Sequence, residues 1–292
     1  MSSGTLEYYA TPGRFTTIDD AWQTADIAAV IAAVQGALIY DLAAQSLYGV
    51  ELAPAQAEAI HERDTARLLA QLRRIDDRPL GADRPVANRV GARCQAYSRV
   101  TVALLRAAGV PARARCGFAA YFVPDRLEDH WVAEYWQADA QCWRMVDAQL
   151  DAAWQSWVGA GVDPLAITSD QFVTAGHAWQ AWRRGELDAE RCGLSSAGEH
   201  GSFWIAGNLR LDLAALNEIE MLPWDVWGDG WGPGEEPDDE QLRRFDEVAE
   251  LTVDPDARFD EMRTRYQSDD ALRMDGTVFN ALRQRVETVD GP

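Results

Sequence analysis

Apolar residues at Ile27, Val30, Ile31, Val34, Leu38 and Ile39 recur at steps of three and four, the period of one buried helical face. The whole stretch 20–75 reads as helix. A second helix starts after Pro54 and runs through Leu68, Leu69 and Leu72 to a connector at 77–85 that holds Pro79, Gly81 and Pro85. A third face, Tyr97, Val100, Thr101, Leu104, Leu105 and Ala108, is ended by Gly109 and Pro111. The pattern then changes. Residues 112–123 alternate small and long side chains and turn aromatic, and 130–136 and 142–146 are rich in aromatic and β-branched residues, which suits a strand followed by an antiparallel hairpin. Helical patterns return from residue 151, with tryptophans three apart at 154 and 157, 179 and 182, and 224 and 227. The Gly- and Pro-rich stretch 228–237 is loop, and an acidic run, Glu235 to Glu240, precedes one or two terminal helices. With strand signals confined to the middle, the expected class is α+β: an N-terminal helical segment (1–85), a mixed core (86–150) and a Trp-rich, mainly helical C-terminal region (151–292) packed on it as one integrated domain.

Composition narrows the partners. The 292 residues are 47% apolar and 25% charged, as in ordinary globular proteins, but 27 Lys and Arg face 47 Asp and Glu, for a formal charge of -20. Such a chain repels phosphate backbones and anionic lipid, so nucleic acid and membrane surface are excluded as expected partners. The longest apolar stretch, Ile27 to Tyr40, carries Gln35 and Gly36 and falls short of the roughly 20 residues a bilayer requires. No basic-then-apolar leader opens the sequence, and the four cysteines (94, 116, 142, 192) show no C-x-x-C spacing, so a reducing, cytoplasmic setting is expected. His61 with Glu62 and Asp64 lacks H-x-x-x-H spacing, and His177 and His200 have no partners in sequence. No metal and no cofactor is expected.

The chemistry concentrates on three residues of the central segment. Cys94 follows Gly91-Ala92-Arg93 at the start of a helix, where the dipole and the amides of the first turn favour a thiolate and stabilise an oxyanion. His130 opens one strand of the hairpin and Asp147 closes the other. If Ala138-Asp139 is a two-residue turn, Gln137 faces Ala140 and His130 lies directly opposite Asp147. A cysteine nucleophile, a histidine base and an orienting carboxylate form a catalytic triad. Trp131, next to the histidine, is expected to wall the site. Cys116, Cys142 and Cys192 read as packing residues.

Gly91…Cys94, Leu104-Leu105-Arg106-Ala107-Ala108-Gly109-Val110-Pro111-Ala112-Arg113, Asp129-His130-Trp131-Val132-Ala133-Glu134-Tyr135 and Trp143-Arg144-Met145-Val146-Asp147 together resemble the core of the transglutaminase-like superfamily. Gly207-Asn208-Leu209 and the run Leu222 to Gly228 resemble a bacterial branch of it. The resemblance implies a papain-like fold in which a cysteine-bearing helix packs on a small antiparallel sheet, with Cys94, His130 and Asp147 as the triad. It implies a thioester acyl-enzyme whose acyl group, from a small-molecule, peptide or protein donor, passes to an amine or to water. Peptidase or amidase action, amide or ring formation in biosynthesis, and a catalytically silent binding module are the rival readings. Two residues separate Gly91 from Cys94 where the family more usually has one, Gln95-Ala96-Tyr97 replaces its basic–acidic–aromatic run, and no D-x-D-x-D-G calcium loop occurs.

Overall fold

The computed structural model describes residues 2–19 and 22–289. They form two compact units, one of residues 2–114 and 131–168, the other of 115–130 and 169–289. The chain changes unit three times, twice inside strands and once between residues 168 and 169.

In the first unit, α1 (Ser3–Ala10) and α2 (Ile27–Ala37) lead into a short strand, β1 (Leu38–Tyr40). Asp26 caps α2 by accepting from the amides of Ala28 and Ala29. Leu38 and Ile39, which continue the helical period in sequence, are strand residues instead. They pair in parallel with β2 (Val90–Ala92), and an apolar stretch buried on both faces satisfies either conformation. The helix expected after Pro54 is broken too. After α3 (Ala44–Tyr48), α4 (Pro54–Glu58) stops early, and α5 (Thr65–Ile75) restarts where Asp64 accepts from the Arg67 amide at 2.8 Å. β2 runs through Arg93 into α6 (Cys94–Ala107). The strands β3 (Ala112–Ala119), β4 (Leu127–Gln137) and β5 (Cys142–Val146) follow, and then α7 (Ala152–Val158), capped by Asp151.

The hairpin register departs from expectation. Gln137 faces Cys142 and Ala133 faces Val146, across a four-residue turn that ends on Gln141 at a left-handed φ of 51°. Ala-Asp supplies neither of the positive-φ residues a two-residue turn needs, so the loop takes two more. A shift of two keeps each side chain on its expected face but moves β5 along β4, so that its last pair, Ala133 with Val146, stands three residues beyond His130.

Gly91 holds β2 against α4: a Cβ there would sit 2.4 Å from the Gln56 carbonyl oxygen. The Gln56 side chain ties the same corner, donating to the Ala87 and Arg89 carbonyls at 2.9 and 2.8 Å. Gly91→Ala is expected to cost about 1–3 kcal/mol, because backbone must yield rather than a side chain. The denaturant midpoint should fall with the m-value unchanged.

The second unit adds β6 (Phe172–Thr174), α8 (Ala175–Arg183), β7 (Cys192–Leu194), β8 (Glu199–His200), α9 (Ser202–Leu216), β9 (Asp225–Val226), α10 (Asp239–Val253), α11 (Phe259–Ser268), β10 (Thr277–Asn280) and β11 (Arg285–Thr288). Strands are therefore not confined to the middle of the chain. β6 pairs antiparallel with β3, β7 pairs parallel with β4, and β9, β10 and β11 form a separate sheet. Trp154 with Trp157 and Trp179 with Trp182 share helical faces as expected, with ring centroids 5.1 and 5.0 Å apart. Trp224 and Trp227 do not. They flank β9, where pairing of Val226 with Phe279 replaces the helix. At the centre of this unit Arg115 of β3 makes a fully buried bidentate pair with Asp212 of α9, at 3.0 and 2.9 Å. The guanidinium also donates to the Thr252 carbonyl, and Asp212 accepts from the Cys116 amide. Each charge thus has partners besides its counter-ion, the condition under which a buried pair is tolerated. The fold is α+β.

Candidate active site

Cys94 is the first residue of α6 and 6% exposed. The placement follows from the segment before it. β2 is fixed by β1 and by the Gly91–Gln56 approach, so the chain enters α6 with one residue, Arg93, in between. Arg93 occupies the N-cap without capping, because a guanidinium has no acceptor to offer the helix amides; its side chain goes to Asp41 instead. It forms a bidentate pair there, with the second arm at 2.9 Å, and stacks over Tyr40. Burial opposes the Arg93 charge, but the Asp41 hydrogen bond and the fields of Asp41, Tyr40 and Cys94 outweigh it and hold the guanidinium above its usual range. A permanent cation is therefore within electrostatic reach of the cysteine sulfur.

A polar cluster that sequence reasoning missed lies in the same unit. The Tyr48 hydroxyl donates to Asp151 at 2.8 Å, and Arg89 approaches the same carboxylate oxygen at 3.5 Å. Burial, then the Asp151 charge, pushes Tyr48 well above the ordinary phenol range. Tyr97, in the first turn of α6, is pushed the same way by burial and then by Tyr48 and Asp151. Both phenols stay protonated. Their 103-residue separation from Tyr48 to Asp151 left no signal in sequence; Arg93, beside the cysteine, did leave one.

His130 is the fourth residue of β4, not its first, and is buried. Its ring is packed edge-on by Phe122 at 4.9 Å, Tyr121 at 6.0 Å and Phe172 at 6.4 Å. None of the three was foreseen. Asp147 lies one residue beyond β5 and is 1% exposed. Its amide donates to the Pro164 carbonyl at 2.8 Å, and its Oδ1 accepts from the Gln149 amide at 2.9 Å, which fixes the carboxylate's rotamer. Trp131, the residue after His130 in β4, is 1% exposed. Cys116 and Cys192 are buried and Cys142 half-buried; burial pushes the Cys192 thiol up to about 12.

Asp129, next to the histidine, accepts from the Asn208 side chain at 2.8 Å, and the same amide group donates to the Gly117 carbonyl at 3.0 Å. Burial pushes its carboxyl from 3.8 up to about 6, against the pull of Asn208 and His130. The folded state thus binds this proton more tightly than the unfolded chain. The carboxylate costs nothing below about pH 4, and destabilises progressively as pH rises through 6. Asp129→Asn, which still accepts from Asn208, is expected to raise stability by up to about 3 kcal/mol near pH 8 and to leave it unchanged near pH 4. Paired urea melts at the two pH values check this.

Among the described residues no cluster of three or more His, Cys, Asp or Glu is placed to hold a metal ion, and no helix is long and apolar enough to cross a membrane.

A cysteine at the head of a buried helix, followed in sequence by antiparallel strands carrying the histidine and preceding the aspartate, defines a transglutaminase-like, papain-like core. Residues 47–148 match the model of the transglutaminase-like superfamily. Among solved structures, the red sea bream transglutaminase is similar at 14% identity over 42% of this chain, with a TM-score of 0.28; the match spans 22% of that protein. No curated protein matches the chain.

Proposed function

We propose that this protein is a cysteine acyltransferase or hydrolase of transglutaminase-like type, with Cys94 as nucleophile, His130 as general base and then acid, and Asp147 as the group that orients the imidazole. The observation that carries the reading is Cys94 at the first position of α6, in the field of Arg93 and inside the matched segment. The Cys94 thiolate adds to the carbonyl carbon of a carboxamide or ester, and the carbonyl electron pair moves to oxygen, where the amides of the helix's first turn stabilise it. Collapse breaks the bond to the leaving amine or alcohol, which takes a proton from the His130 imidazolium, and leaves a thioester on Cys94. Water or an amine then gives its proton to His130 as it attacks, releasing acid or amide and restoring the thiol–imidazole pair.

An acyl-donor library incubated with the protein and analysed by mass spectrometry should yield an acyl adduct on Cys94. The adduct should be absent in Cys94→Ala and discharged faster when a primary amine is added if transfer rather than hydrolysis is the reaction. Adducts spread over all four cysteines, or none with any donor, would support a silent binding module instead.

A further inference from the structure

The sheet formed by β9, β10 and β11 has a distinctive edge. β11 is outermost, and among the described residues no strand pairs with its outer side. The register sets Val226 opposite Phe279 and Phe279 opposite Val286, so the three stand in one row on one face, 46%, 38% and 70% exposed. The other face carries the buried Asp225, Val278 and Asn280. Soluble proteins normally interrupt an apolar row that reaches an open strand edge with lysine, proline or a bulge. β11, Arg285-Val286-Glu287-Thr288, has no lysine, proline or bulge, and its two charges, Arg285 and Glu287, lie on the face opposite the apolar row.

We propose that this edge is a self-association surface on which β11 pairs antiparallel with β11 of a second copy, joining two three-stranded sheets into one with a continuous apolar row. Charge selects both the partner and the register. A two-fold axis perpendicular to the sheet keeps the two apolar rows on the same face only if it passes through a residue position. Centred on Arg285 it opposes two arginines, and centred on Glu287 two glutamates. Centred on Val286 it places valine against valine and Arg285 against Glu287 of the partner subunit on both sides of the axis. Directly opposed opposite charges on a ladder stabilise it and like charges destabilise it, so the Val286 register is the one selected. Arg285 is well exposed and pairs along its own strand with Glu287 at 2.9 Å, and Glu287 also accepts from Asn280 and Arg283, so in this register the same pair of the second copy lies across from it in reverse order. At a formal charge of -20, most other faces of the molecule repel a copy.

Sedimentation velocity over a concentration series should show a reversible monomer–dimer equilibrium. Val286→Lys should be monomeric throughout with an unchanged melting curve, since its side chain is mostly in solvent. Arg285→Glu, which sets glutamate against glutamate twice, should weaken association by about tenfold or more. Val286→Cys, opposite itself on the axis and within disulfide reach, should give a covalent dimer under mild oxidation, whereas Ser156→Cys on exposed α7 should not. A wild-type chain that stays monomeric at every concentration overturns the proposal. So does a dimer indifferent to Val286→Lys, or a β11 edge that accepts only a foreign extended peptide.

Discussion

Alkylation of Cys94 by iodoacetamide is expected to be substantial already near pH 6 and to persist as the pH falls further. Two positive influences act on the sulfur: the start of α6 and the Arg93 guanidinium, which Asp41 keeps in place. In the proposed triad His130 accepts the thiol proton and so adds to both. An unassisted thiol loses reactivity about tenfold per pH unit below roughly 8.5. His130→Ala should move the profile toward that unassisted line, and Cys94→Ser should abolish turnover of any identified substrate. Cys192 supplies the internal contrast: with its thiol pushed up to about 12 it should remain unlabelled across the same range. A Cys94 profile that tracks a free thiol, unaltered by His130→Ala, would remove the mechanism.

Asp147→Asn is expected to lower turnover by about 10²–10⁴-fold while leaving Cys94 alkylation partly intact, since an orienting group acts through the histidine rather than on the sulfur. The substitution is structurally mild. An asparagine oxygen can still accept from the Gln149 amide, and the backbone bond to Pro164 is untouched. A loss of turnover at constant melting temperature would therefore report on catalysis. Full turnover in Asp147→Asn would make the aspartate structural. Of the other carboxylates near in sequence, Glu134 is ion-paired with Arg113 at 2.6 Å, whereas Asp129 accepts from a neutral amide, that of Asn208, so Asp129, next to His130 in sequence, is the one to test next.

The start of α6 was legible because a helical face, a Gly–Pro stop and a cysteine just ahead of them fall within one short window. The α+β class was legible for a similar reason: the central strands are long enough to show their composition. What escaped had short strands or distant partners. β1 is three residues attached to a helix of the same period, and only β2, far along the chain, makes it a strand. Phe172, against the His130 ring, comes from the three-residue β6, too short to show alternation. Trp224 and Trp227 kept a helical spacing that Pro223 and the pairing of β9 with β10 overrode. The pairing of the two hairpin strands was legible, while its register depended on a turn whose residues encode little.

The ribbon of β1 and β2 also sets the order in which the surroundings of Cys94 are assembled. Leu38 pairs with Val90, so the support beneath Cys94 is complete only after a loop of some fifty residues has closed. Such long-range closure is slow relative to the local formation of α6 itself. Early in refolding the helix would already be coiled while its thiol stood open to solvent, unprotected by the corner that Gly91 and Gln56 later seal. Pulsed alkylation during refolding would then capture Cys94 as a free, unselective thiol. The time at which its reactivity changes character would clock the arrival of the N-terminal third of the chain.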